Sequence, residues 1–229
     1  YSLVRTRELQ IQLVDQYKSD ISKYASTRAF NVRSIFEQIP VQLEAESHRF
    51  VVSSLGEGAR LQKYERDFLW LVNAGVGLMV PQVTEARSPL KRTEKATAFK
   101  LYESDTGMLA SRYPGSTARA VYLDMKTPNL GGLYENVVAQ ELVALGVDAW
   151  YYQTREVGEV DFVVEGTSGH VVPIEVKSGK SFKSHAALDN ALATKGYGID
   201  RALVLAECNL HRDGDVLYLP IFMAGLLEP

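Results

Sequence analysis

From Leu9 onward, apolar residues at Leu13, Val14, Tyr17, Ile21 and Tyr24 recur at helical spacing between basic residues, which predicts an opening amphipathic helix. A second helical segment carries Ile35, Phe36 and Ile39 and is expected to stop at Pro40, which has no N–H to continue it. Ser53 and Ser54 suit a short capped helix, and Gly56 and Gly58 break the chain after it. The next helix places Leu61, Tyr64, Phe68, Leu71 and Val72 on its inner side, with Arg60, Lys63 and Arg66 outward, and ends near Gly75. Glu57, Glu65 and Asp67 dilute that basic outer face. Two strand-like runs, VGLMVPQV and ATAFKLY, then flank the turn-rich, basic EARSPLKRTEK, which holds Lys91 and Arg92.

Short helix, breaker, basic amphipathic helix and two-stranded wing is the order of a winged helix-turn-helix, in which the second helix enters a DNA groove and the wing meets phosphates. Arg60, Lys63, Arg66, Lys91 and Arg92 are the candidate nucleic-acid contacts. The alternative is a solvated helix on a module that packs against a partner.

Beyond about Phe99 the pattern changes. Asp105 is placed to cap a short helix, and a Gly- and Pro-punctuated stretch follows up to Gly132. The long helix LYENVVAQELVAL closes at Gly146. Strands AWYYQ, EVDFVVE and HVVPIEVK come next, then a helix at 186–194 and strands RALVLAE and VLYLP. This order predicts an α/β sandwich around a mixed sheet, with the 186–194 helix as a crossover. The expected organisation is a winged-helix-like module over residues 1–97 followed by the α/β sandwich domain over 98–229.

Composition narrows the class further. The 229 residues are 46% hydrophobic and 23% charged, an ordinary globular balance. A net charge of −3 means that any DNA contact must come from a local basic patch. The single cysteine, Cys208, allows no internal disulfide and favours the cytoplasm, and no apolar run suits a membrane span. The chain begins at Tyr1 directly in a helical pattern, so it is expected to be part of a longer protein. The GKS at Gly179–Ser181 is not a phosphate-cradling loop, because the required first glycine falls on Ile174.

The hairpin EVDFVVEGTSGHVVPIEVKSG carries the candidate chemistry. A turn centred near Ser168 sets Asp161 opposite Glu175 and leaves Val160, Phe162, Val164, Ile174 and Val176 as the apolar face, with Val163 on the Asp161 side. A one-residue slip would part the acids. Two carboxylates so close need a proton or a metal between them, and an all-oxygen pair suits Mg²⁺ or Mn²⁺. Lys177, two residues along from Glu175, would polarise a metal-bound water, which together makes equipment for phosphodiester hydrolysis. Glu135 projects from the stripe of Val138, Ala139 and Leu142 that should pack on the sheet, which makes it a candidate fourth group. Its other reading is a helix-start acid reaching water. Glu159 is expected to pair with Lys177 across the strands. The bland alternative for the hairpin is a solvated face of cross-strand ion pairs.

These residues also carry a resemblance. Gly132-Leu133-Tyr134-Glu135-Asn136, Glu159-Val160-Asp161-Phe162 and Pro173 to Gly179 resemble the signature of the PD-(D/E)XK restriction-endonuclease-like superfamily. More narrowly, the chain is similar to the C-terminal domain of unknown function of bacterial and archaeal AAA-type ATPases. Tyr17 to Tyr24, Ile39 to Leu43, Trp70 to Gly75 and Lys100 to Gly107 are similar to that family's winged-helix portion. The resemblance implies a restriction-endonuclease-like sandwich for 98–229. It also implies an ATP-binding domain before Tyr1 as the only place for ATP, metal-binding acids at Asp161 and Glu175, a water-activating lysine at Lys177 and a helix-borne acid at Glu135. Two functions are expected from it: a metal-dependent DNA nuclease in which Asp161, Glu175 and Glu135 hold Mg²⁺ or Mn²⁺ and Lys177 assists the attacking water, or a non-catalytic module coupling the ATPase to DNA or protein. Assembly as a homo-oligomer stays open.

Overall fold

The computed structural model describes residues 2–123 and 130–228; part of the irregular stretch expected before Gly132 lies outside the described residues. The chain is mixed α/β, with a helical N-terminal region and an eight-stranded mixed sheet. It divides into two compact units, residues 1–79 with 101–133 and residues 80–100 with 134–229. The expected division at 97/98 falls inside a strand, because the two units interleave along the chain.

The first unit holds α1 (Leu3–Tyr24), α2 (Ala29–Leu43), α3 (Leu61–Asn73), α4 (Thr106–Arg112) and α5 (Gly115–Tyr122). Its core gathers Ile21, Val32, Ile35, Phe36, Ile39, Phe68, Leu71 and Leu109, all at most 1% exposed. Of the apolar positions expected along α1, Val14 and Ile21 are buried, while Leu13 and Tyr24 are exposed.

Pro40 does not end α2, which runs on to Leu43. A proline there leaves the carbonyl of Phe36, four residues earlier, without its helical N–H. Arg112 donates to that oxygen at 3.0 Å and fills the gap, a tertiary remedy that local sequence does not display. Asp67 likewise departs from its expected outward place. It is 1% exposed and accepts from Arg28 through both oxygens, at 2.7 and 2.5 Å. Asp105 caps α4, accepting from the Met108 amide at 2.7 Å, as the sequence predicts.

The sheet runs in the order β2 (Glu94–Glu103), β1 (Gly77–Val83), β3 (Ala149–Thr154), β4 (Gly158–Glu165), β5 (Val171–Lys177), β6 (Ala202–Ala206), β8 (Val216–Pro220), β7 (His211–Asp213). The two strands expected to form a separate wing are therefore the first two members of the large sheet. Pairings β3–β4, β4–β5 and β7–β8 are antiparallel; β1–β3, β5–β6 and β6–β8 are parallel. The helix α7 (Ala186–Ala193) provides the crossover between β5 and β6. The helix α6 (Gly131–Ala144) precedes β3 and closes through Gly146 at φ +71°. Among the described residues, no helix is long and apolar enough to cross a membrane.

Register decides where the polar side chains of β4 go. Trp150 pairs with Val163 and Tyr152 with Val160, so the single residue Tyr151 stands against two, Asp161 and Phe162. This bulge breaks the alternation expected along the strand. Val160 and Val163, expected on opposite faces, both join the core cluster containing Leu188 and Ala191 of α7. Bulges re-aim a side chain, and this one lies at Asp161.

Candidate active site: a carboxylate cluster around a buried lysine

The β4–β5 ladder pairs Phe162 with Ile174 and continues to Glu165 with Val171. It closes through a turn in which the Gly166 amide donates to the His170 carbonyl at 2.9 Å and Gly169 adopts φ +78°. One step beyond the last pair, Asp161 and Glu175 stand at matching positions. There the Val176 amide donates to Oδ2 of Asp161 at 2.8 Å. A backbone donor is thus held by a side chain where the strand ladder stops.

Around these acids the second unit gathers more charge. Lys177 donates to Oε1 of Glu175 at 2.6 Å, while Oε2 of Glu175, itself on a side chain 7% exposed, has no hydrogen-bond partner among the described residues. Glu135, from the second turn of α6, is 4% exposed, so it is buried rather than reaching water at the helix end. Its Oε2 lies 3.0 Å from Nζ of Lys100. That lysine, on β2, is 0% exposed and also stands 2.9 Å from Glu159 and 3.6 Å from Asp161, with the Tyr151 ring centroid 5.4 Å away. Glu159 therefore pairs with Lys100 and not, as expected, with Lys177.

Electrostatics follow from this crowding. Burial pushes the Asp161 carboxyl well above the usual aspartate range, and repulsion from Glu135 and Glu175 adds to the rise; Lys100 and the Val176 amide oppose it. Burial also raises Glu175, against the pull of Lys177. For Lys100 burial works against the charge, but Glu135, Asp161 and Glu159 outweigh it and raise its pKa. Burial likewise works against the Lys177 charge, and Glu175 above all reverses the balance and raises its pKa. Among the described residues, Glu135, Glu159, Asp161 and Glu175 face the ammonium groups of Lys100 and Lys177.

Lys100 is the residue that sequence reasoning missed as part of this cluster. Its only local signal is the run Phe99 to Glu103, five consecutive buried residues that include a lysine. The candidate nucleic-acid residues lie elsewhere. Arg60, Lys63 and Arg66 are exposed on and just before α3; Lys91 and Arg92 are exposed in the loop before β2, and Arg92 pairs with Glu85 at 2.7 Å. These groups belong to different units.

The cluster's fit to a divalent ion rests on two hard-oxygen donors, the Asp161 carboxyl and the Oε2 of Glu175 that has no hydrogen-bond partner among the described residues. Among the described residues, no group of three or more His, Cys, Asp or Glu is arranged to hold a metal ion. The acids that would make a larger group are drawn to Lys100. Residues 4–117 match the family model for Domain of unknown function (DUF8612), and residues 130–222 match that for Domain of unknown function (DUF4143), a domain that occurs in AAA-ATPase-associated proteins. No curated protein and no solved structure matches the chain.

Proposed function

We propose that this chain is the C-terminal part of a P-loop ATPase and that its second unit is a nuclease-fold module that hydrolyses phosphodiester bonds with Mg²⁺ or Mn²⁺. The observation that carries this reading is the placing of Asp161 and Glu175 one step beyond the last β4–β5 pair, with Lys177 alongside and one buried carboxylate oxygen of Glu175 without a hydrogen-bond partner among the described residues. Asp161 and Glu175 would hold the ion; when bound, it supplies Lewis-acid stabilisation of charge on a phosphate and lowers the pKa of a bound water. Lys177, paired with Glu175, keeps its proton and acts as a donor that orients the attacking water or the phosphate oxygen. Glu135 acts from behind, through Lys100. The match of residues 130–222 to a domain of AAA-ATPase-associated proteins supports the ATPase connection.

The finer fold reading belongs to the same proposal: a restriction-endonuclease-like sandwich with a winged-helix-like helical partner. The exposed Arg60, Lys63 and Arg66, and more weakly Lys91 and Arg92, would contact nucleic-acid phosphates. The cytoplasm suits a chain with one cysteine. A non-catalytic module that couples the ATPase to its partners is the second reading. It is favoured by one observation, the ammonium of Lys100 already placed among Glu135, Glu159 and Asp161.

A cleavage assay decides between them. Wild type and Asp161→Ala are incubated with linear and branched DNA in Mg²⁺ and in Mn²⁺. Metal-dependent cutting by wild type alone supports the nuclease. Equal cutting by both, or none by either, removes it.

A further inference from the structure

We propose that the Lys100 ammonium occupies a cation seat formed by Glu135, Glu159 and Asp161, and as a positioning residue confines the site to one divalent ion at Asp161 and Glu175. The inference rests on the metal-site reading for that ion, but the seat itself stands on separate geometry.

A fully buried ammonium normally loses its proton or finds partners. Here the partners surround it: carboxylate oxygens at 3.0, 2.9 and 3.6 Å and the face of Tyr151 at 5.4 Å. They come from three elements, α6, β4 and β3, none of them adjacent to Lys100 in sequence. Three carboxylates converging on one point is how an oxygen site holds a hard cation, except that the distances are those of N–H···O hydrogen bonds to Glu135 and Glu159 and of a longer ion pair to Asp161. Mg²⁺ needs oxygens at about 2.1 Å and Ca²⁺ at about 2.3–2.6 Å. The ammonium thus holds these acids farther apart than a metal would, and the absence of a three-acid metal group among the described residues follows.

The seat has a way in. The side chains of Glu159 and Asp161 retain 21% and 14% exposure, while Glu135 keeps 5%. An ion admitted from that side meets Lys100 wherever Glu135 or Glu159 could ligate it. Among the described residues of the cluster, Asp161, which offers the ammonium its longest contact, and Glu175, whose Oε2 has no hydrogen-bond partner there, are left for metal. Two-metal phosphodiester chemistry is closed to the wild-type arrangement, and one-metal chemistry remains.

The test counts ions. Mn²⁺ is titrated into the full chain and followed by calorimetry and by the loss of free-ion paramagnetic resonance, for wild type and Lys100→Gln. One site in wild type and two in the variant, the second abolished again in Lys100→Gln/Glu159→Gln, is the expected result. One site of equal affinity in both overturns the Lys100 proposal and leaves the nuclease reading standing. No binding in wild type but one Glu159-dependent site in Lys100→Gln sinks the nuclease reading and upholds the lysine seat; no binding in either removes both. Should Lys100→Gln not fold, Glu135→Gln in the wild-type background decides. Mn²⁺ affinity changed by less than about threefold supports a glutamate engaged by Lys100, and a loss of roughly tenfold or more makes Glu135 a metal ligand and overturns the proposal.

Discussion

Both units bury charge, and they do it in opposite ways. In the first, each buried acid is matched by its own arginine: Asp67 by Arg28 and Glu103 by Arg112. In the second, among the described residues, four acids share two lysines. An acid held against its own arginine is a structural pair, whereas several acids sharing fewer lysines invite a ligand that will complete the arrangement. Matching, rather than burial, separates the scaffold from the candidate site.

The sharpest way to break that contrast is to remove a member of the unmatched set. Asp161→Ala is expected to lower Mn²⁺ affinity by ~100-fold or more and to abolish cleavage while the fold persists, read by calorimetry and circular dichroism together. Removing a matched member should do the reverse. Arg112→Met takes the guanidinium away from buried Glu103 and from the Phe36 carbonyl, for an expected loss of roughly 3–5 kcal/mol in urea unfolding. Adding Mn²⁺ should not restore it. Metal should restore Lys100→Gln, and identical metal responses in the two variants would erase the distinction.

A smaller effect sharpens the comparison through pH. Burial pushes the Glu103 carboxyl up to about 7 in spite of Arg112. Its unfolded value is near 4.3, so the folded state holds the proton more tightly. The stabilisation is full below that unfolded value and is lost as pH rises through about 7. Glu103→Gln should flatten the fall in midpoint between pH 4.5 and 7.5; an unchanged slope would assign it elsewhere. The smallest effect is expected on the surface. Replacing Arg60, Lys63 and Arg66 by alanine should weaken DNA binding uniformly across sequences and reduce its salt dependence by about one per lost phosphate contact. An unaltered salt dependence would remove these residues from the interface.

How much of this was legible in the sequence depended on how local the cause was. The hairpin register was readable, since a turn centred near Ser168 follows from alternation plus a Gly-bounded loop, and it aligned Asp161 with Glu175. The Asp105 cap and the closing of α6 at Gly146 were equally local. The bulge was not, because the extra residue of β4 is defined only against β3, and it carried Val160 to the face of Val163. Pro40 reads as a stop until Arg112, 72 positions away in the numbering, supplies the missing donor. Lys100 looked like one polar residue in a strand. Its partners lie 35, 59 and 61 positions further on, and no window along the chain contains them.

That separation bears on ancestry. Lys100 sits in the segment matched by one family and its acids in the segment matched by the other. A recombination event that exchanged either segment for a relative lacking its half of the cluster would strand an ammonium in an oily pocket or leave three anions unopposed. Each stretch therefore constrains what the other can become, and chimaeras joined between residues 117 and 130 should tolerate only donors that bring the complementary charges.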